Sequence, residues 1–418
     1  MRTVDQMYQL PKRSEAYSNL QSVLENAMYG LEFCAPLTGE NQQTVQMADL
    51  DGDGEQEYLV FTKGSSELPL RILVLNRVKN EFFHMDTIES NGAAFDRVEY
   101  IQMDKNPGVE LVIGRQISNQ LVRSVSVYTF AAGQAQLLMS TNYRGFTAVD
   151  LDQNGLSELF VLRPGQEETK NGVAELYRVQ SGVMERSNEV EMAAPADKIK
   201  RILVGGLYDE KPAVYVASSV ENVSLITDVF TEKSGLLINV SRAGDSDIGT
   251  QTLRNYYVYG DDIDNDGVVE LPHLMRMVRL EDVPTAEQRN LIRWYAFKSD
   301  GSTVDKLYTY YDSVGGWYLV LDEILAPRIS VRCLGNTYEF YLWNVGYSRA
   351  QKLMTIHMLT GQNREEQSVA DGRFVLLKTD TVIYSASLEN VAADYRVTQN
   401  SLVQSFSLIH RDWNMGEM

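Results

Sequence analysis

The stretch VQMADLDGDGEQEYLVF, Val45 to Phe61, joins two apolar β-type runs through a turn carrying Asp49, Asp51, Asp53, Gly54 and Glu57. Two more stretches read alike. FTAVDLDQNGLSELFVL (Phe146 to Leu162) carries Asp150, Asp152, Asn154, Gly155 and Glu158, and YVYGDDIDNDGVVELPHL (Tyr257 to Leu274) carries Asp262, Asp264, Asp266, Gly267 and Glu270. The shared pattern is D-x-D-x-[DN]-G-x-x-E. Oxygens at i, i+2 and i+4 converge on one side of a tight loop, Gly at i+5 permits the positive φ that turns the chain, and the acid at i+8 closes the shell from the next strand. Such a set, without His or Cys, suits Ca²⁺ rather than zinc or copper. An EF-hand would need Glu at loop position 12 and flanking helices. Val60, Val161 and His273 occupy that position and the flanks read as strands, so that motif is set aside.

Two eroded copies fill the gaps. YIQMDKNPGVELVI (Tyr100 to Ile113) puts Gln102, Asp104, Asn106 and Glu110 at the acid positions, with Pro107 in place of Gly. ILVGGLYDEKPAVYV (Ile202 to Val216) keeps the flanking runs and almost none of the acids. Units starting at 49, 102, 150, near 206 and at 262 recur at a period near 50 residues. Each unit divides into four strands: in the first, Thr44–Asp49, Tyr58–Thr62, Leu70–Val78 and Glu81–Ile88; in the second, Val98–Met103, Glu110–Arg115, Arg123–Phe130 and Ala135–Ser140. Four short antiparallel strands at this period describe a propeller blade, which cannot bury its own faces and must stack on its neighbours. The expected fold class is therefore mainly β, a β-propeller of five blades. A sixth blade from the chain ends or the C-terminal region is the alternative.

The expected organisation is residues 1–40 as an N-terminal helix and closing strand, 41–325 as the propeller, and 326–418 as a small α+β domain. The helix is read over Ser14–Met28 from the spacing of Tyr17, Leu20, Leu24 and Met28 between Pro11 and Gly30. The run Leu31–Ala35 is expected to complete the last blade.

The loop between two strands at this period resembles the FG-GAP or VCBS-type repeat of integrin-α-like propellers. The three full copies carry the resemblance, and it covers residues 41 to 322. It implies a calcium-stabilised propeller outside the cell, in adhesion or ligand binding, and no single activity. The whole chain also resembles surface lipoproteins of anaerobic Gram-positive gut bacteria. That resemblance implies a lipid anchor on a cysteine preceding Met1 as the one link to a membrane.

The chain has 418 residues, with 38 Lys and Arg against 57 Asp and Glu, a formal net charge of −19. This excludes nucleic acid as the main partner, which selects clustered basic residues, and docking on anionic lipid through a basic face. Thirteen of the acids fall in the three loops, so the acidity is in part a metal-site signature. No window approaches the roughly 18 apolar residues of a membrane helix, and Arg2, Thr3 and Val4 do not begin a secretory signal. Cys34 and Cys333 read as two free thiols or one long-range disulfide.

No H-E-x-x-H, G-x-S-x-G, Walker A or G-x-G-x-x-G sequence is present. Gly244-Asp245-Ser246 reads as a turn rather than a nucleophile block. Trp294, Tyr295, Tyr308, Tyr310, Tyr311, Trp317 and Tyr318 read as blade core, with a stacking surface as the lesser reading. The leading expectation is a monomeric, non-enzymatic cell-surface propeller holding two or three Ca²⁺ and binding a protein or glycan. The alternative is a polysaccharide-acting enzyme using the propeller as scaffold.

Overall fold

A computed structural model describes residues 22–24, 27–79, 81–117, 122–131, 133–165, 171–221, 224–242, 250–281, 289–346 and 348–409. The chain is mainly β, organised as successive open antiparallel sheets of four or five strands. This is the propeller-type arrangement expected. Two compact units are distinguished: residues 1–202 with 231–238, and residues 203–230 with 239–418.

The first unit holds three complete sheets. The first contains Glu32–Phe33, Val45–Ala48, Glu57–Lys63, Leu70–Val78 and Glu81–Ser90. The second runs in order Ala94–Ile101, Glu110–Gln116, Arg123–Ala131 and Gln134–Tyr143, and the third Gly145–Val149, Glu158–Pro164, Gly172–Gln180 and Val183–Glu191. Both reproduce the four-strand plan read from the repeat. Apolar runs on both faces of the inner strands force stacking. Leu59, Phe61, Ile72 and Val74 of the first sheet share one core with Phe95, Val98, Leu111 and Ile113 of the second. Val112, Val125 and Val127 then share another with Phe146, Leu159 and Val161 of the third. Residues on opposite faces of one strand, such as Leu111 and Val112, thus feed two different cores.

The strand Glu32–Phe33 corrects one expectation. Instead of completing the last blade, it pairs with Thr62 and Lys63 of the first sheet. The register explains why: only two residues pair before the chain turns away, so it lengthens the edge of the nearest sheet. The helix expected over Ser14–Met28 lies largely outside the described residues. Residues 22–24 and 27 are helical, and Val23, Leu24, Ala27 and Met28 pack on Val60, Leu73 and Leu75 of the first sheet.

A fourth sheet contains Ile199–Gly206, Pro212–Val220, Ser224–Lys233 and Leu236–Asn239 in sequence order. In the second unit a fifth sheet runs in order Leu271–Arg276, Asn290–Phe297, Thr303–Asp312, Trp317–Leu321 and finally Phe406–Leu408. A sixth follows in order Ile329–Leu334, Thr337–Trp343, Ala350–Leu359, Ile383–Leu388 and Phe374–Lys378. Residues beyond 326 therefore supply a sheet of their own, with short helices Arg364–Val369 and Gln399–Ser405 beside it. One core joins the last two sheets, with Leu291, Tyr310 and Trp317 against Phe340, Leu353, Ile356, Leu402 and Phe406.

Trp294, Tyr295, Tyr310, Trp317 and Tyr318 are buried, as the core reading of that aromatic group expects. Both cysteines are free thiols. Among the described residues no helix is long and apolar enough to cross a membrane.

Trp317 fastens the late strand Phe406–Leu408 to the fifth sheet. Its ring stacks on Phe406 at 5.2 Å and meets Tyr338 edge-on at 5.0 Å. Trp317→Ala should cost about 3–5 kcal/mol in urea unfolding and speed amide exchange at Phe406–Leu408. A loss below about 1 kcal/mol would show that this contact does not hold the strand.

Candidate metal centre

Each acidic turn joins the first two strands of a sheet or, in the third copy, an isolated bridge. The acid at i+8 always stands across from the residue before the first acid: Glu57 from Ala48, Glu110 from Ile101, Glu158 from Val149 and Glu270 from Asp261. That pairing explains the spacing, because eight residues between the partners are what the turn contains. The glutamate is buried in all four turns. One of its oxygens accepts the backbone N–H at i+1: from Leu50, Met103 and Leu151 at 2.8 Å and from Ile263 at 3.0 Å.

The first acid caps the turn from the other side. Asp49 accepts from Gly52 N at 2.7 Å and Gly54 N at 3.1 Å. Asp150 accepts from Asn154 N at 3.0 Å and Gly155 N at 2.8 Å, and Asp262 from Asp266 N at 3.0 Å and Gly267 N at 2.8 Å. Gly54, Gly155 and Gly267 adopt φ of +90°, +88° and +86°. A Cβ would meet nothing within 4 Å at these three, so glycine is needed there for its conformation rather than for space.

Consecutive turns are also linked through the backbone. The carbonyl of the first acid position accepts from the residue just before the next glutamate: Asp49 O from Val109 N at 3.2 Å, and Gln102 O from Ser157 N at 2.9 Å. In the second unit Gly206 O accepts from Val269 N at 3.0 Å. This places Gly206 at the first acid position of the eroded fourth copy. A side chain is not tolerated there, since a Cβ would lie 2.7 Å from Gly267 O.

The three full turns gather ligand atoms that can hold a metal ion. Asp49, Asp51 and Asp53 offer oxygens within 4.8 Å of one another, as do Asp150, Asp152 and Glu158, and Asp262, Asp264 and Glu270. Glu57 lies behind the first group, with its Oε1 buried and without a hydrogen-bond partner. Burial pushes its carboxyl above the ordinary value, and Asp51, Asp53 and Asp49 add to that. Asn154 turns its Oδ1 to Leu156 N at 2.8 Å, and Asp266 turns its Oδ1 to Val268 N at 3.0 Å.

Two of the turns carry a protein cation that the repeat pattern does not contain. Arg178 donates from Nε to Glu158 Oε1 at 3.0 Å, with Nη2 3.8 Å from Asp152. In the third turn the Lys306 ammonium pairs with Asp266 and lies 3.4 Å from Asp264 and 3.7 Å from Glu270. Its Nζ also sits 5.9 Å from the Tyr208 ring centroid. Burial would lower this ammonium, but the bond to Asp266 and the nearby carboxylates hold it above its ordinary value. Burial chiefly pushes Glu270 up to about 8. The first turn differs. The residue at the strand position matching Arg178 is Asn76, by the pairing of Tyr58 with Leu75 and of Leu159 with Tyr177.

Carboxylate count alone ranks the first and third turns equal. The cations separate them: among the described residues only the first has no basic side chain in ion-pair contact with its acids. Arg178 follows from the hairpin register once the strands are paired, but Lys306 does not, because the register shifts there, with Leu307 and Asp305 paired to Trp294 and Tyr295. The Gln102 turn is bound internally, its amide donating to Asp104 O and Asn106 O at 2.7 Å. The Gly244-Asp245-Ser246 turn lies outside the described residues.

No protein-family model matches the sequence, and no curated protein matches it significantly. Solved structures with similarity include the exotype rhamnogalacturonan lyase YesX, with 11% identity over 73% of this chain and 74% of that one, at TM-score 0.33. A protein from Lactobacillus plantarum shows 11% identity over 76% and 86%, at TM-score 0.30. A putative 6-phosphogluconolactonase from Bacteroides uniformis shows 12% identity over 73% and 82%, at TM-score 0.28. Likeness at this level carries no activity across.

Glu110 isolates the behaviour of the buried turn glutamate away from the metal groups. Burial holds its carboxyl above the ordinary 4.5, against the Met103 hydrogen bond that lowers it. Between the unfolded and folded values the native chain keeps a proton that the unfolded chain has released, so stability falls as pH rises. Glu110→Gln keeps the acceptor and removes the titration. Its melting temperature should decline less than the parent's as pH rises above the ordinary carboxyl value; parallel curves would exclude this role.

Proposed function

We propose that the chain is a calcium-stabilised, non-enzymatic propeller of the FG-GAP/VCBS type that acts as a monomer at the cell surface and binds a protein or glycan. The observation that carries the metal part is the buried, unpartnered Oε1 of Glu57 behind the converging Asp49, Asp51 and Asp53. Four carboxylates held this close repel unless a cation joins them. All candidate donors are hard oxygens, which favours calcium. Asp49, Asp51, Asp53 and Glu57 hold the ion in this reading. Asp150, Asp152, Asn154 and Glu158, and Asp262, Asp264, Asp266 and Glu270, form weaker sites in which Arg178 and Lys306 compete with it. The ion supplies no chemistry beyond cross-linking the first two strands of a sheet. Surface display rests on the repeat resemblance, and a lipid anchor preceding Met1 on the resemblance to surface lipoproteins. It agrees with extracellular calcium modules, whose dissociation constants are on the order of 0.1–1 mM.

At free calcium about ten times the dissociation constant, one site stabilises by about 1.4 kcal/mol, a rise of roughly 3–6 °C for a unit near 200 residues. Calcium should restore this rise after chelation and magnesium should not. Asp49→Asn with Glu57→Gln should remove most of it. Lys306→Met should add one calcium to the stoichiometry measured by titration calorimetry. A melting temperature indifferent to calcium would reject the metal reading. Turnover of a polysaccharide by the purified chain would replace the non-enzymatic reading with the enzyme alternative.

A further inference from the structure

The first unit contains a polar cleft of about 470 Å³ that the acidic turns do not use. Its walls come from the second and third sheets. Arg123 begins one strand, Asn142 and Tyr143 end another, and Arg163 and Pro164 end the strand that Glu158 begins. Arg163 is five residues from Glu158, roughly 17 Å along that strand. The cleft thus lies at the opposite end of the sheet from the metal turn.

Two buried carboxylates stand behind it; one aims two arginines and a tyrosine, the other an arginine and a tyrosine. Glu175, 0% exposed, accepts from Arg163 Nη2 at 2.7 Å, from Arg186 Nη1, and from the Tyr177 hydroxyl at 3.0 Å. Burial alone would raise this carboxyl, but the three donors hold it below the ordinary value. Glu189, its cross-strand neighbour, takes second bonds from Arg163 at 3.2 Å and Arg186 at 3.0 Å. Asp96, 2% exposed, accepts the Tyr143 hydroxyl and lies 3.4 Å from Arg123 Nη1. Gly114 makes room for this tyrosine, since a Cβ there would lie 2.6 Å from its hydroxyl.

These bonds fix the arginines without using up their donors. Arg186 spends only Nη1 on them and Arg123 only Nη1, out of five N–H groups each. Three guanidinium groups and one carboxylate line the cleft, and with Glu189 and Asp96 behind them the charges balance locally in a chain of net charge −19. A guanidinium edge pre-aimed by a buried acid matches a carboxylate in planar, paired fashion. The open, polar walls, with the Asn142 amide, the Thr141 hydroxyl and the half-buried Tyr177 ring, suit a hydroxyl-rich ligand. We infer that this cleft binds a carboxylate-bearing saccharide, with Arg123 and Arg186 contacting the carboxylate. The inference rests on the ligand-binding reading above and names its site and ligand class.

The probes are short oligomers of glucuronate and galacturonate, a neutral oligosaccharide of equal length, and acetate, each titrated into the calcium-loaded chain. Binding of a uronate oligomer at least tenfold tighter than the neutral one is expected. Arg186→Gln, at a side chain 45% exposed, and Arg123→Gln should each weaken it tenfold or more while calcium uptake stays at the parent's. Equal affinity for neutral and acidic oligomers, or variants binding as the parent does, would overturn the inference. So would acetate competing as well as the uronate. If an Arg variant fails to fold, Asn142→Ala, at an exposed position, replaces it with the same criterion. An array of neutral glycans and proteins run on the parent tells the two readings apart. Binding there without uronate binding sinks only this inference, and no binding to any probe sinks the ligand-binding reading with it.

Discussion

A buried glutamate accepting one backbone N–H closes the turn between successive strands four times in this chain. Glu57, Glu110, Glu158 and Glu270 differ in their surroundings, yet each is held by the amide seven residues before it. A hydrogen bond of this kind contributes about 0.5–1.5 kcal/mol net, and losing it would leave a buried amide without a partner. The rest of each turn depends on it. It fixes the register of the hairpin, holds the first acid where it caps the glycine amide, and leaves that acid's carbonyl facing the next turn. The links from Val109 to Asp49 and from Ser157 to Gln102 then tie neighbouring turns together.

The capacity to hold a metal ion is a second layer on this frame. Glu110 closes its turn with a single aspartate, Asp104, near it, accepting from Thr129 Oγ1 at 3.3 Å on its other oxygen. Glu158 has Arg178 there, whereas the matching oxygens of Glu270 and Glu57 accept no hydrogen bond, Glu270 with the Lys306 ammonium 3.7 Å away and Glu57 with no cation in contact. The same geometric position thus meets a hydroxyl, a guanidinium, a nearby ammonium or no partner. One scaffold yields four turns with different appetites for a cation, and of the three full copies only the first has none of its negative charge offset by a protein cation among the described residues.

Much of this was legible in the sequence. The D-x-D-x-[DN]-G-x-x-E spacing locates the turns, the period near 50 locates the sheets, and gapless alignment of the Gln102 copy places Glu110 correctly. The eroded fourth copy aligns near 206, where Gly206 O takes the equivalent backbone bond. What the sequence hid arises between strands. Asn76, Thr129 and Arg178 become equivalent only once the second hairpin is in register. Lys306 reaches its acids through an irregular pairing that no repeat encodes, and the arginines of the cleft come from strands up to 63 residues apart. The edge that Glu32–Phe33 joins was not legible either, because a two-residue strand carries no periodicity to say where it pairs.

The central claim is that the first turn, and not the lysine-filled third, takes calcium most readily. Anomalous diffraction from crystals grown with calcium near its dissociation constant tests this directly. The account predicts a calcium peak bounded by Asp49, Asp51, Asp53 and Glu57, stronger than any peak at Asp262, Asp264 and Glu270. A peak at the third turn with none at the first would contradict it.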